Sequence, residues 1–304
     1  MELPNLPNQF QRLSAPLVNR RRFLQTAGMT AAAAPLVVGV LIPRPARADD
    51  RFSSTEGAEG TAQSKDTVAE IATAALIAED LATTFYYNGL VGPVIQDPNL
   101  AGPGGTATMI TSAGNAGNVN YLQAALSEEI AHANLLRSLL KIPKAASDPE
   151  QTFYFPAGTF DKLDPFLDLL DALENAFIGA YLNAVQEFAT MAAVAKEQQS
   201  RQVWDEESYT PETLEYLALV SASIMGIESE HRVLGRVIAN KNPANNRNYE
   251  TTDGITAVYN GKTSAVAALT PFLTPSTGPG YSLATALDKH TTVSIHVGGV
   301  PPAA

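Results

Sequence analysis

The chain has 304 residues, of which 20 are basic and 31 acidic, for a formal net charge of −11. That excess of acid disfavours nucleic acid and anionic membrane surfaces as partners. The absence of cysteine excludes disulfides, thiol nucleophiles and Cys-ligated zinc or iron–sulfur centres, so any metal site must use oxygen and nitrogen ligands.

The first stretch reads as a targeting segment. Asn19-Arg20-Arg21-Arg22-Phe23-Leu24-Gln25 is a twin-arginine pattern, an Ala-rich apolar run continues to Ile42, and Ala46-Arg47-Ala48 is an A-x-A cleavage site. The run is also just long enough to be a membrane anchor, but its small residues and the cleavage site favour removal. Residues 1–48 are therefore expected to be a signal peptide, and the mature chain to be periplasmic or extracellular, without stable membrane insertion. Cleavage removes six Arg and one acidic residue, leaving 14 basic against 30 acidic residues, a net charge of −16. The remaining 256 residues suffice for one large domain with a real core.

Residues 49–65, rich in Ser, Thr, Gly and Glu, read as a loose linker. Asp66 reads as the N-cap of a first helix. Its apolar stripe runs through Val68, Ile71, Ala72, Ala75, Leu76, Ala78, Leu81 and Ala82 to a C-cap at Asn88-Gly89. A long loop broken by Gly-Pro and Gly-Gly pairs occupies 91–117. A second helix starts near Asn118 and stops before Pro143, and the connection 141–163 shows no helix. A third helix opens at Asp164-Pro165 and continues to about Ser200. A fourth opens at Thr210-Pro211-Glu212 and runs to about Ala239, both with the N-cap-then-proline signature. From 241 to 304, Asn, Thr, Gly and Pro dominate. A short helix at Thr263–Leu269 and a β-like run at Thr291–Val297 are expected in a tail that wraps the domain or contacts another copy.

The chemistry concentrates in two of these helices. Glu129-x-x-His132 and Glu228-x-x-His231 repeat one device, each with a Leu three residues and an Arg five residues beyond the His. On a helix that spacing places carboxylate and imidazole on one face. The first and third helices each carry a Glu inside an apolar stripe, Glu79 and Glu174, where a lone charge would be costly. Each has a Tyr two turns on, Tyr86 and Tyr181, on the same face. These tyrosines read as core residues in preference to redox participants, and either hydroxyl could bond a ligand carboxylate. Glu79 and Glu174 are 95 residues apart, and Glu129 and Glu228 are 99 apart. The domain is thus a doubled unit of a Glu helix followed by a Glu-x-x-His helix, related by a pseudo-twofold axis.

Glu128 and Glu230 stand beside the motifs as surface acids or as partners of a ligand. Arg137 and Arg236 read as partners of acids, and His290 and His296 lack ligand spacing. No dinucleotide fingerprint, phosphate loop or nucleophile elbow is present.

On Glu79, Glu129, His132, Glu174, Glu228 and His231, the chain resembles the ferritin-like superfamily. It is most similar to the exported, non-cage ferritin-like family that includes stress- and desiccation-related proteins. The resemblance spans residues 66–240. It implies an all-α, ferritin-like four-helix bundle, two helix pairs joined by a long crossover, with residues 241–304 as an irregular C-terminal extension. It further implies that the six residues hold two Fe or Mn ions that react with dioxygen or peroxide, as a ferroxidase or a manganese catalase does. Four carboxylates converging in an interior balance two divalent cations, and O and N ligands suit either metal. The alternatives are a non-enzymatic stress- or desiccation-protection protein whose metals are structural, and a storage cage, which the long tail and loops would crowd. A homo-oligomer is compatible with all of them.

Overall fold

The computed structural model describes residues 66–97, 100, 117–200, 209–241, 244, 265–275 and 277–293. The twin-arginine segment, the linker, most of the loop before Gly117 and residues 294–304 lie outside them. The chain is an all-α helical bundle built from α1 (Val68–Val91), α2 (Asn118–Leu140), α3 (Leu163–Ser200) and α4 (Pro211–Ile238). α1 packs mainly on α2, and α3 on α4. Two short helices follow, α5 (Ala265–Leu269) and α6 (Leu283–Lys289).

Helix α1 begins one residue later than expected. Thr67, not Asp66, is the N-cap, because Thr67 and Glu70 close a reciprocal capping box. The Thr67 amide donates to Glu70 at 2.9 Å and the Glu70 amide to Thr67 Oγ1 at 3.2 Å, which satisfies two amides that the helix cannot. The far end also differs, since the helix passes Asn88-Gly89 and stops at Val91. Asn88 donates to the Thr84 carbonyl within the helix. Gly89 serves packing instead of termination, as a Cβ there would lie 2.4 Å from the Phe166 ring.

Helix α2 ends on Lys141 in the left-handed region (φ 54°), whose amide reaches back to Arg137 and Ser138. The crossover to α3 carries a 3-10 turn at Ala145–Ser147 and strand β1 (Thr152–Tyr154). β1 pairs antiparallel with β2 (Gly280–Ser282), Phe153 opposite Tyr281. Helix α3 spans 38 residues, about 57 Å. Helix α4 opens as expected, with the Thr210 hydroxyl accepting from the Thr213 amide and Pro211 in the first turn. α3 and α4 approach closely at Gly235, where a Cβ would meet Leu170 at 2.7 Å.

The tail closes one side of the bundle. α6 packs on α1, with Leu283 and Ala286 fully buried, and every residue of α1 from Leu76 to Tyr87 is buried. This stretch is buried on every side, Glu79, Asp80, Thr83 and Thr84 included, so the one-sided apolar stripe understated its burial. Thr291 and Thr292 sit in a 3-10 turn, His290–Thr292, not in a strand. Val293 follows in a turn, its amide donating to the His290 carbonyl; residues 294–297 of that expected β-run lie outside the described residues, as do 263–264 of the expected short helix.

Two apolar clusters fill the bundle. One is aromatic, with Phe85 stacked on Phe166 at 4.6 Å and packed near Phe155 and Phe160. The other is aliphatic, built on Leu76, Leu136, Leu139, Phe188 and Leu217. Along α2 the change from one cluster to the other falls between Leu126 and Ala133, and along α4 between Leu217 and Ile238. Both Glu-x-x-His motifs lie in these gaps. Among the described residues no helix is long and apolar enough to cross a membrane.

Candidate metal centre

The bundle brings all six residues singled out from the sequence together, one from each of α1 and α3 and two from each of α2 and α4. They form two overlapping groups, Glu79, Glu129, His132 and Glu228, and Glu129, Glu174, Glu228 and His231. In each group the ligand atoms lie within 4.8 Å of one another. Glu129 and Glu228 belong to both groups and stand between them. His132 Nδ1 lies 3.3 Å from Glu79, 3.5 Å from Glu228 and 3.7 Å from Glu129. His231 Nδ1 lies 3.1 Å from Glu129, 3.4 Å from Glu228 and 3.9 Å from Glu174.

The local reason is simple. Glu and His three residues apart share a helical face, and α2 and α4 each turn that face inward where the two apolar clusters meet. The tyrosines complete the frame by crossing over. Tyr86 on α1 donates to Glu174 on α3 at 2.6 Å, and Tyr181 on α3 donates to Glu79 on α1. Moving up one helix moves down the other in this pair of contacts, so α1 and α3 run antiparallel across the site. The sequence put each Tyr on its own Glu's face, whereas the structure gives each to the opposite helix's Glu.

Burial and charge oppose each other here. Glu79 and Glu174 are buried, and desolvation, with the neighbouring carboxylates, pushes both carboxyls well above their usual range. Burial would raise Glu129 too, but His132 and His231 outweigh it and hold it below the usual range. Burial would lower both imidazoles, yet the surrounding carboxylates push them up. Desolvation and the adjacent Glu carboxylates raise the hydroxyls of Tyr86 and Tyr181, which stay protonated donors.

The donor set fits cations. Both oxygens of Glu129, both of Glu228, Glu174 Oε2 and His231 Nδ1 are buried without a hydrogen-bond partner. An orphaned buried acceptor costs about 1–3 kcal/mol, more when charged. Lone pairs that face one another at these distances without an intervening donor are satisfied together by divalent ions.

Residues beside the motifs support the frame. His231 Nε2 lies 2.8 Å from Glu128, which directs Nδ1 inward. Glu128 thus serves a ligand, while Glu230 is exposed on α4. Arg137 is buried and donates to Asp80, next to Glu79, and to Asp148 in the crossover. Arg232 donates to Asn175, next to Glu174, and Arg236 to Asp171. The Asp80 and Asp148 contacts were not foreseen, although Asp80 directly follows a singled-out Glu. His290 bonds the Leu287 carbonyl instead of joining the site, and His296 lies outside the described residues.

Residues 67–199 match the family model of the ferritin-like domain. No curated protein and no solved structure matches the chain. The matched stretch covers α1, α2 and α3 and stops before α4, which supplies Glu228 and His231. This match supports the chain's place in the ferritin-like superfamily.

Proposed function

We propose that the chain is an exported redox protein in which Glu79, Glu129, His132, Glu174, Glu228 and His231 hold two iron or manganese ions. Glu129 and Glu228 would reach both ions, with Glu79 and His132 serving one and Glu174 and His231 the other. When bound, such a pair supplies electron transfer to or from dioxygen or peroxide, giving ferroxidase-like or manganese-catalase-like turnover. Tyr86 and Tyr181 hold Glu174 and Glu79 in place by donating to one carboxylate oxygen of each, which leaves the second oxygen for a cation. The apolar clusters on either side exclude bulk water and keep the carboxylates' charge for the ions.

The supporting observation is the convergence of six ligands, five of them buried, with orphaned oxygens on Glu129, Glu174 and Glu228. Export by the twin-arginine route rests on Arg20-Arg21-Arg22 and Ala46-Arg47-Ala48. The test is elemental mass spectrometry on the exported chain beside Glu129→Ala and His231→Ala, followed by ferrous-oxidation and peroxide-consumption assays. Two ions per chain, lost in the variants, with turnover above the Glu129→Ala control, is the expected result. Substoichiometric metal unchanged by either substitution would refute the assignment.

A second reading draws on the complete burial of Glu129, Glu174 and Glu228. In it the metals staple the bundle of a stress- or desiccation-protection protein. Metal removal would then lower the melting temperature while no redox assay responds.

A further inference from the structure

The two ends of the site are not alike. Beyond Tyr86 and Glu174 lies the aromatic cluster, where Phe85 and Phe166 stack and Phe155 and Phe160 fill the rest. Beyond Tyr181 and Glu79 lies a cavity of about 30 Å³ between the four helices. His132, at that end, keeps 13% of its side chain exposed, against 1% for His231.

The cavity abuts the site on every helix. Ala75, Leu136 and Ile224 line it, and each is four residues, about 6 Å along its helix, from Glu79, His132 and Glu228 respectively. From α3, Tyr181 forms part of its wall while donating its hydroxyl to Glu79. The rest of the lining is almost wholly aliphatic or aromatic. Ser221 is an exception, but its hydroxyl already donates to the Leu217 carbonyl.

We propose that this cavity is a docking site for dioxygen beside the Glu79–His132 end. The inference rests on the dimetal reading above and narrows its substrate. On this measure a cavity needs about 10–15 Å³ to hold one water, so the space admits a diatomic molecule. Water needs two to four polar partners to stay in such a space. Hydrogen peroxide, with two O–H groups and two acceptor oxygens, would give up its hydration for few partners. Dioxygen is apolar, forfeits no strong hydrogen bonds on leaving water, and fits a dry diatomic-sized space. The favoured reaction class is therefore oxidation by dioxygen, not peroxide dismutation.

Xenon, an apolar atom of similar bulk, probes the cavity without any metal. Crystals of the metal-free and metal-loaded chain would be pressurised with xenon, and xenon-129 NMR recorded on the wild type, Ala72→Leu and Ala184→Leu. These two alanines line the cavity from α1 and α3. Xenon is expected between Leu136, Tyr181 and Ile224 in the wild type and should be lost in both variants. In the loaded protein each variant should raise KM for dioxygen while keeping metal content and kcat.

Wild-type crystals without xenon at this position overturn the proposal, and need no variant that folds. Variants that lose xenon yet keep the wild-type KM for dioxygen overturn it as well. A chain that takes up xenon here but binds no metal refutes the dimetal reading and leaves the cavity standing as a gas-binding site.

Discussion

His132 and His231 occupy equivalent places in the repeat but different surroundings. The residue before Glu129 is Glu128, whose carboxylate accepts a hydrogen bond from His231 Nε2 at 2.8 Å. The residue before Glu228 is Ile227, so His132 has no matching carboxylate among the described residues. A carboxylate on the outer nitrogen fixes the tautomer and makes the inner nitrogen a better donor. Glu128→Ala should therefore weaken metal binding at the His231 half by about 10–100-fold and leave the His132 half near its wild-type affinity. Stepwise titration against a competing chelator resolves the two. Equal weakening of both halves, or of neither, would show that Glu128 does not act through His231.

At the scale of the helices, three glycines separate packing from propensity. Gly226 faces open space, with nothing within 4 Å of a built Cβ. Gly226→Ala should then stabilise α4 by about 0.5–1 kcal/mol, because alanine gives up less backbone freedom. Gly89→Ala and Gly235→Ala should destabilise, each by about 1–3 kcal/mol, since the new methyl collides with Phe166 or Leu170. Thr67→Ala opens the capping box of α1 and should cost about 1 kcal/mol. Urea unfolding of the four variants checks the order, and a stabilised Gly89→Ala would show that the helices can part at no cost.

At the scale of the whole molecule, the tail and the metals hold the same bundle. Leu269, Phe272, Leu273 and Leu283 are buried tail residues in the aromatic cluster. Each contributes about 1.5–3 kcal/mol by leaving water, which together rivals the 5–15 kcal/mol of a typical domain. A chain cut after Asn240 should accordingly lose its cooperative melt, as calorimetry would report. A truncated chain that melts like the wild type would show the tail to be dispensable. Metal binding to the folded state alone adds about 2.7 kcal/mol per site at a free concentration of about 100 Kd. The melting temperature of chelator-treated protein should rise with added Fe or Mn and stay flat for Glu129→Ala.

Local sequence determined what depends on a few neighbouring residues. The start of α4 follows from Thr210-Pro211, the span of α2 from its apolar period, and the six inward ligands from Glu-x-x-His and from Glu set in an apolar stripe. These features need only helical geometry and the cost of burying a charge. Tertiary structure decided everything that joins residues far apart in the chain. It took α1 past Asn88-Gly89 to Val91 and used Gly89 to make room for the Phe166 ring. It gave each tyrosine to the opposite helix's glutamate because α1 and α3 run antiparallel. Pairing of Thr152–Tyr154 with Gly280–Ser282 joins strands well over a hundred residues apart, which no local period announces. The unequal ends of the site, aromatic at Glu174 and hollow at Glu79, come from which side chains meet when four helices pack, a property no single helix carries.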